Sequence, residues 1–381
     1  MAVGILRRQG LINGTRQLTS AVTSVLRPIP PGDILLVGGW GPSTLYRVVH
    51  VAEELRLQGF RCSTASYDNP RLSRCATRFR LFVFHRTPPT VSVGRLLVAI
   101  KAMRRTALFD IDDLVFDPDD LRHADAFRDS ALAARDGYAQ QSGRALVEDN
   151  YLDTCTVTTT PIAEKLRARG KTVFVVPNRL SAADVRIADC LRAHRRPSAP
   201  LLRLGYFSGT ASHNRDFATL APSLAAVMAR HPQVRLHIVG PLRLDAALEA
   251  FASRIEQRPF VASRSGHFSN LAAVDVNLAP LETGNPFCEA KSPLKFFEAG
   301  ILGVPTAASA TQPFREAVRN GEDGVLVETP DGWEAALDRL IDDAAWRDAL
   351  GRAARTTAMQ RFTTTHATNE PYYAHLRHLA K

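Results

Sequence analysis

The chain has 381 residues, 45% of them hydrophobic and 23% charged, which is the balance of a globular protein and excludes an intrinsically disordered one. At this length two domains are expected, and a net charge of +10 favours anionic partners such as nucleotides, lipid headgroups or nucleic acid. No apolar run approaches about 18 residues, so no membrane-spanning helix is expected. The five cysteines (Cys62, Cys75, Cys155, Cys190, Cys288) are scattered without a C-x-x-C pair, which argues against a disulfide framework or a zinc site and for a reducing cytoplasm.

Residues 1–32 carry Arg7, Arg8, Arg16 and Arg27 and no acidic residue, with Leu11, Leu18, Val22 and Val25 at helical spacing. A basic amphipathic helix on an anionic membrane fits this pattern, and so does a helix packed on the first domain. Residues 33–180 read as a Rossmann-like domain. DILLVGG (33–39) is a buried strand, GWGPSTLYR a glycine-rich loop, Tyr46–Gln58 a helix and Phe60–Ala65 the next strand: a β-loop-α-β unit of a doubly wound sheet. Gly38, Gly39 and Gly41 do not make a G-x-G-x-x-G fingerprint, so no nicotinamide site is read here. Gly41, Ser43 and Arg47 are candidates to meet a substrate at this loop. LFVFH (81–85) is another strand, with His85 and Arg86 at its carboxyl end, and Val91–Arg104 is a helix.

ALFDIDDLVFDPDD then places Asp110, Asp112 and Asp113 at a strand terminus. Three carboxylates so close repel one another, and a divalent cation, bound hydroxyls or a neighbouring Arg would relieve them. An Asp-rich turn capping the next helix is the plainer alternative. One or two rim helices fill Leu121–Asn150. Cys155–Thr160 and Thr172–Val176 are strands around a helix that starts at Pro161. Residues 181–200 turn polar and end in RRPSAP, which reads as an interdomain linker.

Residues 201–362 read as a second Rossmann-like domain. Leu202–Phe207 is a strand, Ser208–Asn214 a small-residue loop and Asp216–Arg230 one long helix, followed by the strand VRLHIVG. Gly209 and Thr210, entering a helix, can bind an anion through backbone N–H groups, with His213 as a side-chain donor. The organising stretch is VDVNLAPLETGNPFCEAKSPLKFFEAGILGVPTAAS (274–309): strand, loop, helix, strand. Ser292 is placed to cap that helix and Pro293 to begin it. Leu294, Phe297 and Ile301 face the core, while Lys291, Lys295 and Glu298 share a neighbouring stripe. Only six of the 48 basic residues are Lys, and two of them fall here. Two ammonium groups and free N–H groups aimed at one volume make an anion site, suited to a phosphate or diphosphate. Glu298 lies too deep for the phosphate and is suited to sugar hydroxyls. Residues 363–381 form a terminal helix with Tyr372, Tyr373 and Leu376.

The stretch resembles the signature region of the retaining family-four, or group-1, glycosyltransferases of GT-B fold. There the helix carries two glutamates seven residues apart, followed by a G-V-P turn. Here Glu298 matches the second glutamate and Gly303-Val304-Pro305 the turn. Ala290 stands where the first glutamate is expected, with Glu289 one position early, a pattern similar to a subgroup reading NPFxEAKSxLKxxE. The resemblance implies two Rossmann-like domains across a cleft, with transfer of a sugar from a nucleotide-diphosphate sugar to a carbohydrate or lipid-linked acceptor, and no cofactor or metal. It implies that Gly209, Thr210, His213, Glu282, Asn285, Glu289, Lys291, Ser292, Leu294, Lys295 and Glu298 hold the donor. It places Gly41, Ser43, Arg47, His85 and Arg86 at the acceptor, with Asp110, Asp112, Asp113, Lys291 and Lys295 in the chemistry. The C-terminal helix would return to the first domain, and the protein would be cytoplasmic, with peripheral contact at the inner membrane face. A nucleotide-sugar epimerase and a non-catalytic scaffold are the alternatives. Nucleic-acid binding has the charge in its favour but lacks basic runs interleaved with aromatics.

Overall fold

The computed structural model describes residues 28–194, 201–209 and 214–379. The helix expected within residues 1–32, apart from its last positions, lies outside them, as do Thr210 and His213.

The first sheet is six parallel strands in the order β2-β1-β3-β4-β5-β6. They are β1 (Ile34–Gly38), β2 (Cys62–Ser66), β3 (Leu81–His85), β4 (Thr106–Ile111), β5 (Thr154–Val157) and β6 (Thr172–Val175). All five residues of β1 and of β3 are buried, as a parallel sheet with helices on both faces requires. The helix after β1 is not the regular one expected. It starts at Pro42, widens into a π-helical turn over Leu45–His50 and continues as α1 (Val51–Leu57). The wide turn buries Tyr46, Arg47 and Val48 in succession, which a regular helix face does not do. Helix α2 (Val91–Ala102) follows β3, its first turn capped by the Thr90 hydroxyl. The rim between β4 and β5 is more broken than expected, with separate helices at Pro118–Leu121, Leu132–Gln141 and Arg144–Glu148.

Where a linker is expected, residues 182–193 form a helix, α3 (Ala182–Ala193), opened by a reciprocal Ser181–Asp184 capping box. The second sheet is also six parallel strands, in the order β12-β11-β10-β7-β8-β9. They are β7 (Leu202–Phe207), β8 (Val234–Val239), β9 (Ile255–Arg258), β10 (Val276–Ala279), β11 (Thr306–Ser309) and β12 (Val325–Val327). The single helix expected over Asp216–Arg230 is split into Asn214–Ala218 and Ala221–Arg230, because Pro222 fits only a first turn. Helix α4 (Arg264–Ala272), unread in the sequence, precedes β10. Helix α5 (Leu294–Gly300) begins one residue later than expected, and Pro293 rather than Ser292 takes the cap position, without a side-chain cap. Helix α6 (Ala344–Arg361) packs on α5, and α7 (Glu370–Leu379) ends the described chain. Tyr372, Tyr373 and Leu376 of α7 are buried among Ile34, Leu36 and Val48, so the chain does return to the first domain.

In the first sheet the strand order turns back between β1 and β3, and in the second between β7 and β10. Loops leaving neighbouring strands on opposite sides open a crevice at each such point, at the carboxyl edge. The two edges face each other: Asn178 of the first domain donates to Ser292 Oγ at 3.3 Å, and Thr159 donates to Ala290 O at 2.9 Å.

The loop after β8 is tightly set. Gly240 has φ +106°, and a Cβ there would stand 1.9 Å from Ser208 O, beside the crevice between β7 and β10. Gly240→Ala is expected to destabilise the protein by at least about 1–3 kcal/mol, read as a lower urea midpoint at unchanged slope.

Candidate functional site between the two sheets

Lys295, in the first turn of α5, reaches across the crevice of the second sheet. Its Nζ donates to Phe207 O at the end of β7 at 2.6 Å and lies 4.3 Å from the centre of the Tyr206 ring. Burial pulls its pKa down to about 8, against the pull of Asp216 and Glu298. Lys291 is different. Its Nζ donates to Asp113 Oδ2 at 3.4 Å across the domain boundary and sits 4.4 Å over the Phe287 ring. Burial opposes its charge, but Asp113, Asp216 and Cys288 together outweigh burial and raise its pKa. Both lysines are turned inward. Of the two, Lys295 alone faces mostly neutral groups.

The Asp-rich strand end finds its compensation in cations, one for each carboxylate. Asp110, 2% exposed, takes Arg47 on both oxygens, at 2.5 Å from Nη2 and 3.1 Å from Nε. Thr156 Oγ1 donates to its Oδ1 at 2.6 Å. Burial would raise this carboxyl, yet Arg47 and His85 hold it well below the usual carboxylate range. Arg86 Nε donates to Asp112 at 2.5 Å, and Lys291 meets Asp113. Arg86 holds a left-handed backbone conformation, φ +40°, where β3 ends, which turns its side chain onto Asp112 and Asp113. Two sequence expectations change here. Arg47 does not face an acceptor, because its side chain is fully buried as the counter-ion of Asp110. Asp110 is sealed in the same pair and is not open to a substrate. Among the described residues, no group of three His, Cys, Asp or Glu side chains is arranged to hold a metal.

Glu298 is 5% exposed and also engaged. Its Oε1 accepts from Tyr46 of the first domain and from Arg264 Nη1 at 2.7 Å, and its Oε2 lies 3.2 Å from His267 Nε2. Burial raises its pKa, but His267, Arg264 and Tyr46 together bring it well below the ordinary value. The carboxylate expected to meet sugar hydroxyls therefore ties the domains together in this structure. Arg264 continues the network to Asp184 at 2.9 Å. The sequence reading missed Tyr46, Arg264, His267 and Asp184. An Arg and a His three apart, opening a helix in the 260s, were the available signal.

The other expected residues fall as follows. Ala290 is fully buried with Phe287 in the core of the first domain, so the loop after β10 plugs into that domain and a Glu there would meet apolar side chains. Glu289 accepts from Gly284 N at 3.0 Å and shapes the loop. Glu282 pairs with Arg215 at 2.7 Å and accepts from Asn285 at 2.8 Å, while Asn285 also donates to His123 O of the first domain at 2.9 Å. Leu294 is half-buried against the core of the second domain, while Phe296 and Phe297 are fully buried in it. Gly209 ends the described part of the β7 loop, and no atom of the described residues lies within 4 Å of where its Cβ would stand. Gly41, φ +137°, is likewise open, two residues before Ser43. Ser43 Oγ lies 3.1 Å from His85 Nε2. Two clefts of about 270 and 300 Å³ are lined by other residues, the second by Asn214 and Arg243 beside the β7 loop.

Residues 203–343 match the family described as glycosyl transferases group 1. The phosphatidyl-myo-inositol mannosyltransferase of Mycobacterium tuberculosis is 30% identical over 183 residues, 46% of this chain and 46% of the relative. The D-inositol 3-phosphate glycosyltransferase of Streptosporangium roseum is 42% identical over 59 residues, 15% of this chain and 14% of the relative. The chain thus matches less than half the length of these curated relatives. Among solved structures, sucrose-phosphate synthase from Thermosynechococcus elongatus superposes with a TM-score of 0.60 at 17% identity, over 91% of this chain and 98% of that one. Anabaena HepE, in complex with UDP and glucose, gives 0.57 at 14% identity, over 87% and 96%. The chain has the GT-B fold, and within its second domain residues 203–343 are similar to the group 1 glycosyl transferases.

Asp110 and Glu298 both have depressed carboxyl pKa values in the fold. Their contribution to stability is complete above the unfolded carboxylate range near pH 4 and is lost as pH falls through the folded values. Wild-type stability should therefore decline steeply below about pH 4. Glu298→Gln, which leaves Arg264 paired with Asp184 and removes the charge that Arg264 and His267 share, should cost about 1–3 kcal/mol at pH 7 and show a shallower acid limb in urea titrations.

Proposed function

We propose that this protein is a glycosyltransferase that moves a sugar from a nucleotide-diphosphate sugar to a hydroxyl acceptor, with the donor on the second domain and the acceptor on the first. The observation that carries this reading is Lys295: an inward-turned ammonium at the crevice of the second sheet, held by a carbonyl oxygen and an aromatic face. Burial weakens its hold on its proton, and a diphosphate would restore that hold. When the bond between sugar and diphosphate breaks, negative charge grows on the leaving oxygen. A fixed ammonium in a poorly hydrated site stabilises that charge more than the ground state. Lys291 supports the same volume while neutralising Asp113. The β7 loop from Gly209 through Thr210 to His213 would add donors to the diphosphate, and Glu282, Asn285, Glu289 and Ser292 would border the sugar. Gly41, Ser43, His85 and Arg86 would meet the acceptor across the cleft.

In this reading the leaving group is stabilised by the protein's own cations, with retention of anomeric configuration and without a metal in the chemistry. The names of the two curated relatives make inositol phosphate and phosphatidylinositol the first acceptors to try, and the UDP and glucose in a structural neighbour make UDP-glucose a first donor. A lipid-linked acceptor would bring the protein to the inner face of a membrane. No helix among the described residues is long and apolar enough to cross one.

A thermal-shift panel of nucleotide sugars should identify the donor as the ligand that raises the melting temperature. With that donor, Lys295→Ala should lower turnover by about 100-fold or more while shifting the melting temperature little. Wild-type turnover by this variant would refute the assignment. Binding of the free nucleoside diphosphate at pH 8.5 should also draw a proton onto Lys295, because an anion raises a pKa that burial has lowered to about 8. Calorimetry in buffers of different ionisation enthalpy reads that uptake, and Lys295→Ala should abolish it.

A further inference from the structure

The stretch from Asn69 to Phe109 holds nine basic residues and no acidic one, so it supplies +9 in a chain whose net charge is +10. It includes a 3₁₀ helix (Leu72–Thr77) and helix α2, which pack against each other on one flank of the first domain.

Helix α2 is apolar on two faces. Val93, Leu96 and Ile100 are buried in the first-domain core. Val91, Val98 and Ala102 recur at i, i+7 and i+11 on the opposite face, where Val91 is 71% and Val98 is 70% exposed. Met103, just past the helix, is exposed as well. A helix apolar all round belongs inside a core or against lipid, and this face of α2 meets no core. One exposed valine is ordinary, whereas a row of them on one helix face marks an interaction surface.

Cations border the row. Arg95 lies one turn from both Val91 and Val98, and Arg104 follows Met103. Arg74, within the neighbouring 3₁₀ helix, and Arg78, just after it, are exposed too. None of these four guanidinium groups has an ion-pair partner among the described residues. Surface cations elsewhere are paired, as Lys101 is with Asp149, Arg61 with Asp33 and Arg230 with Glu334. An apolar strip rimmed by unpaired cations is the pattern of a helix that lies in the plane of an anionic bilayer. Its valines enter the acyl boundary, the Arg stems lie along it and the guanidinium heads meet lipid phosphates.

Charge decides between occupants. A second copy of the chain would set one basic flank against another. Residues 1–27 are basic without a single acid, so the same repulsion disfavours them as a cover. A nucleic acid would use the guanidinium groups and leave the valines in water. A bilayer rich in acidic lipid satisfies both.

We propose that this flank docks the protein on an anionic membrane surface, with Val91, Val98 and Met103 entering the lipid. The surface lies outside the cleft, and the proposal stands without the transferase reading. Under that reading it gives a lipid-linked acceptor its approach. Helix α2 starts at the carboxyl edge of the first sheet, and Thr90 at its cap donates to Tyr67 O in the loop after β2 at 3.5 Å. The docked flank therefore borders the edge at which the acceptor is placed.

Two readouts test this. The first is co-sedimentation of the full chain with vesicles. Vesicles with about one-third phosphatidylglycerol should carry down at least about fivefold more protein than phosphatidylcholine vesicles, and raising salt from about 100 to about 500 mM should release it. The double variant Val91→Asp, Val98→Asp and the triple variant Arg74→Gln, Arg95→Gln, Arg104→Gln should each lose at least about fivefold of that binding at unchanged melting temperature. Equal pelleting with both kinds of vesicle, or variants that bind like wild type, overturns the proposal. The second readout places an environment-sensitive fluorophore on Val98→Cys in a Cys190→Ser background, where the other four cysteines are buried. Its emission should shift to the blue with anionic vesicles and stay unchanged with random duplex DNA. A probe that stays in water on adding vesicles overturns the docking. So does a probe already shielded without them, which would mean that another segment or a second copy covers the face. Neither readout uses a sugar donor, so failure of the transferase reading leaves both intact.

Discussion

The ion pair between Lys291 and Asp113 closes the domain interface, and it belongs to a larger balance of charge. DIDD brings three carboxylates to one strand end, and the fold answers with Arg47, Arg86 and Lys291, one to each. Two of these cations are local to the first domain. The third comes from the second domain, so the first domain's charge is balanced only when the two sheets face each other. Breaking a pair of this kind strands a partly dehydrated charge, which is costly, whereas forming it contributes little net energy. Its effect is therefore on geometry. It fixes which surfaces meet, and Tyr46 on Glu298 and Phe287 in the first-domain core hold the same register.

This interface gives the two lysines of one short stretch different work. Lys291 has a carboxylate and keeps its charge at any ordinary pH, as a structural counter-ion at the rim of the cleft. Lys295 has a carbonyl and a ring, and burial brings it close to neutrality in mildly alkaline solution. A cation so placed is poised for an anionic ligand. In the first sheet, Ser43, His85 and Asp110 are joined by hydrogen bonds at the carboxyl ends of β1, β3 and β4.

Much of this architecture is legible in the sequence because parallel strands buried on both faces leave short apolar runs. LFVFH and LRLGYF match β3 and β7 residue for residue, and the signature around KSPLK locates the second crevice. Helix geometry was less legible. The π-helical turn at Leu45–His50 has no composition of its own, and it is what turns Arg47 inward to Asp110. The same limit applies to Glu298. Its spacing assigns it to the lysine stripe, but its partners Tyr46, Arg264 and His267 come from distant parts of the chain. Pairings over long sequence separations carry no local signal. The polar run after Leu180 shows the opposite error, since a capping box makes a helix of residues that read as linker.

The most direct measurement of the central claim is the position of a nucleoside diphosphate in a crystal structure of the protein. The account predicts phosphate oxygens about 3 Å from Lys295 Nζ, drawn away from Phe207 O, with Lys291 still on Asp113. A diphosphate seated away from both lysines, with Lys295 unmoved on its carbonyl, would contradict it.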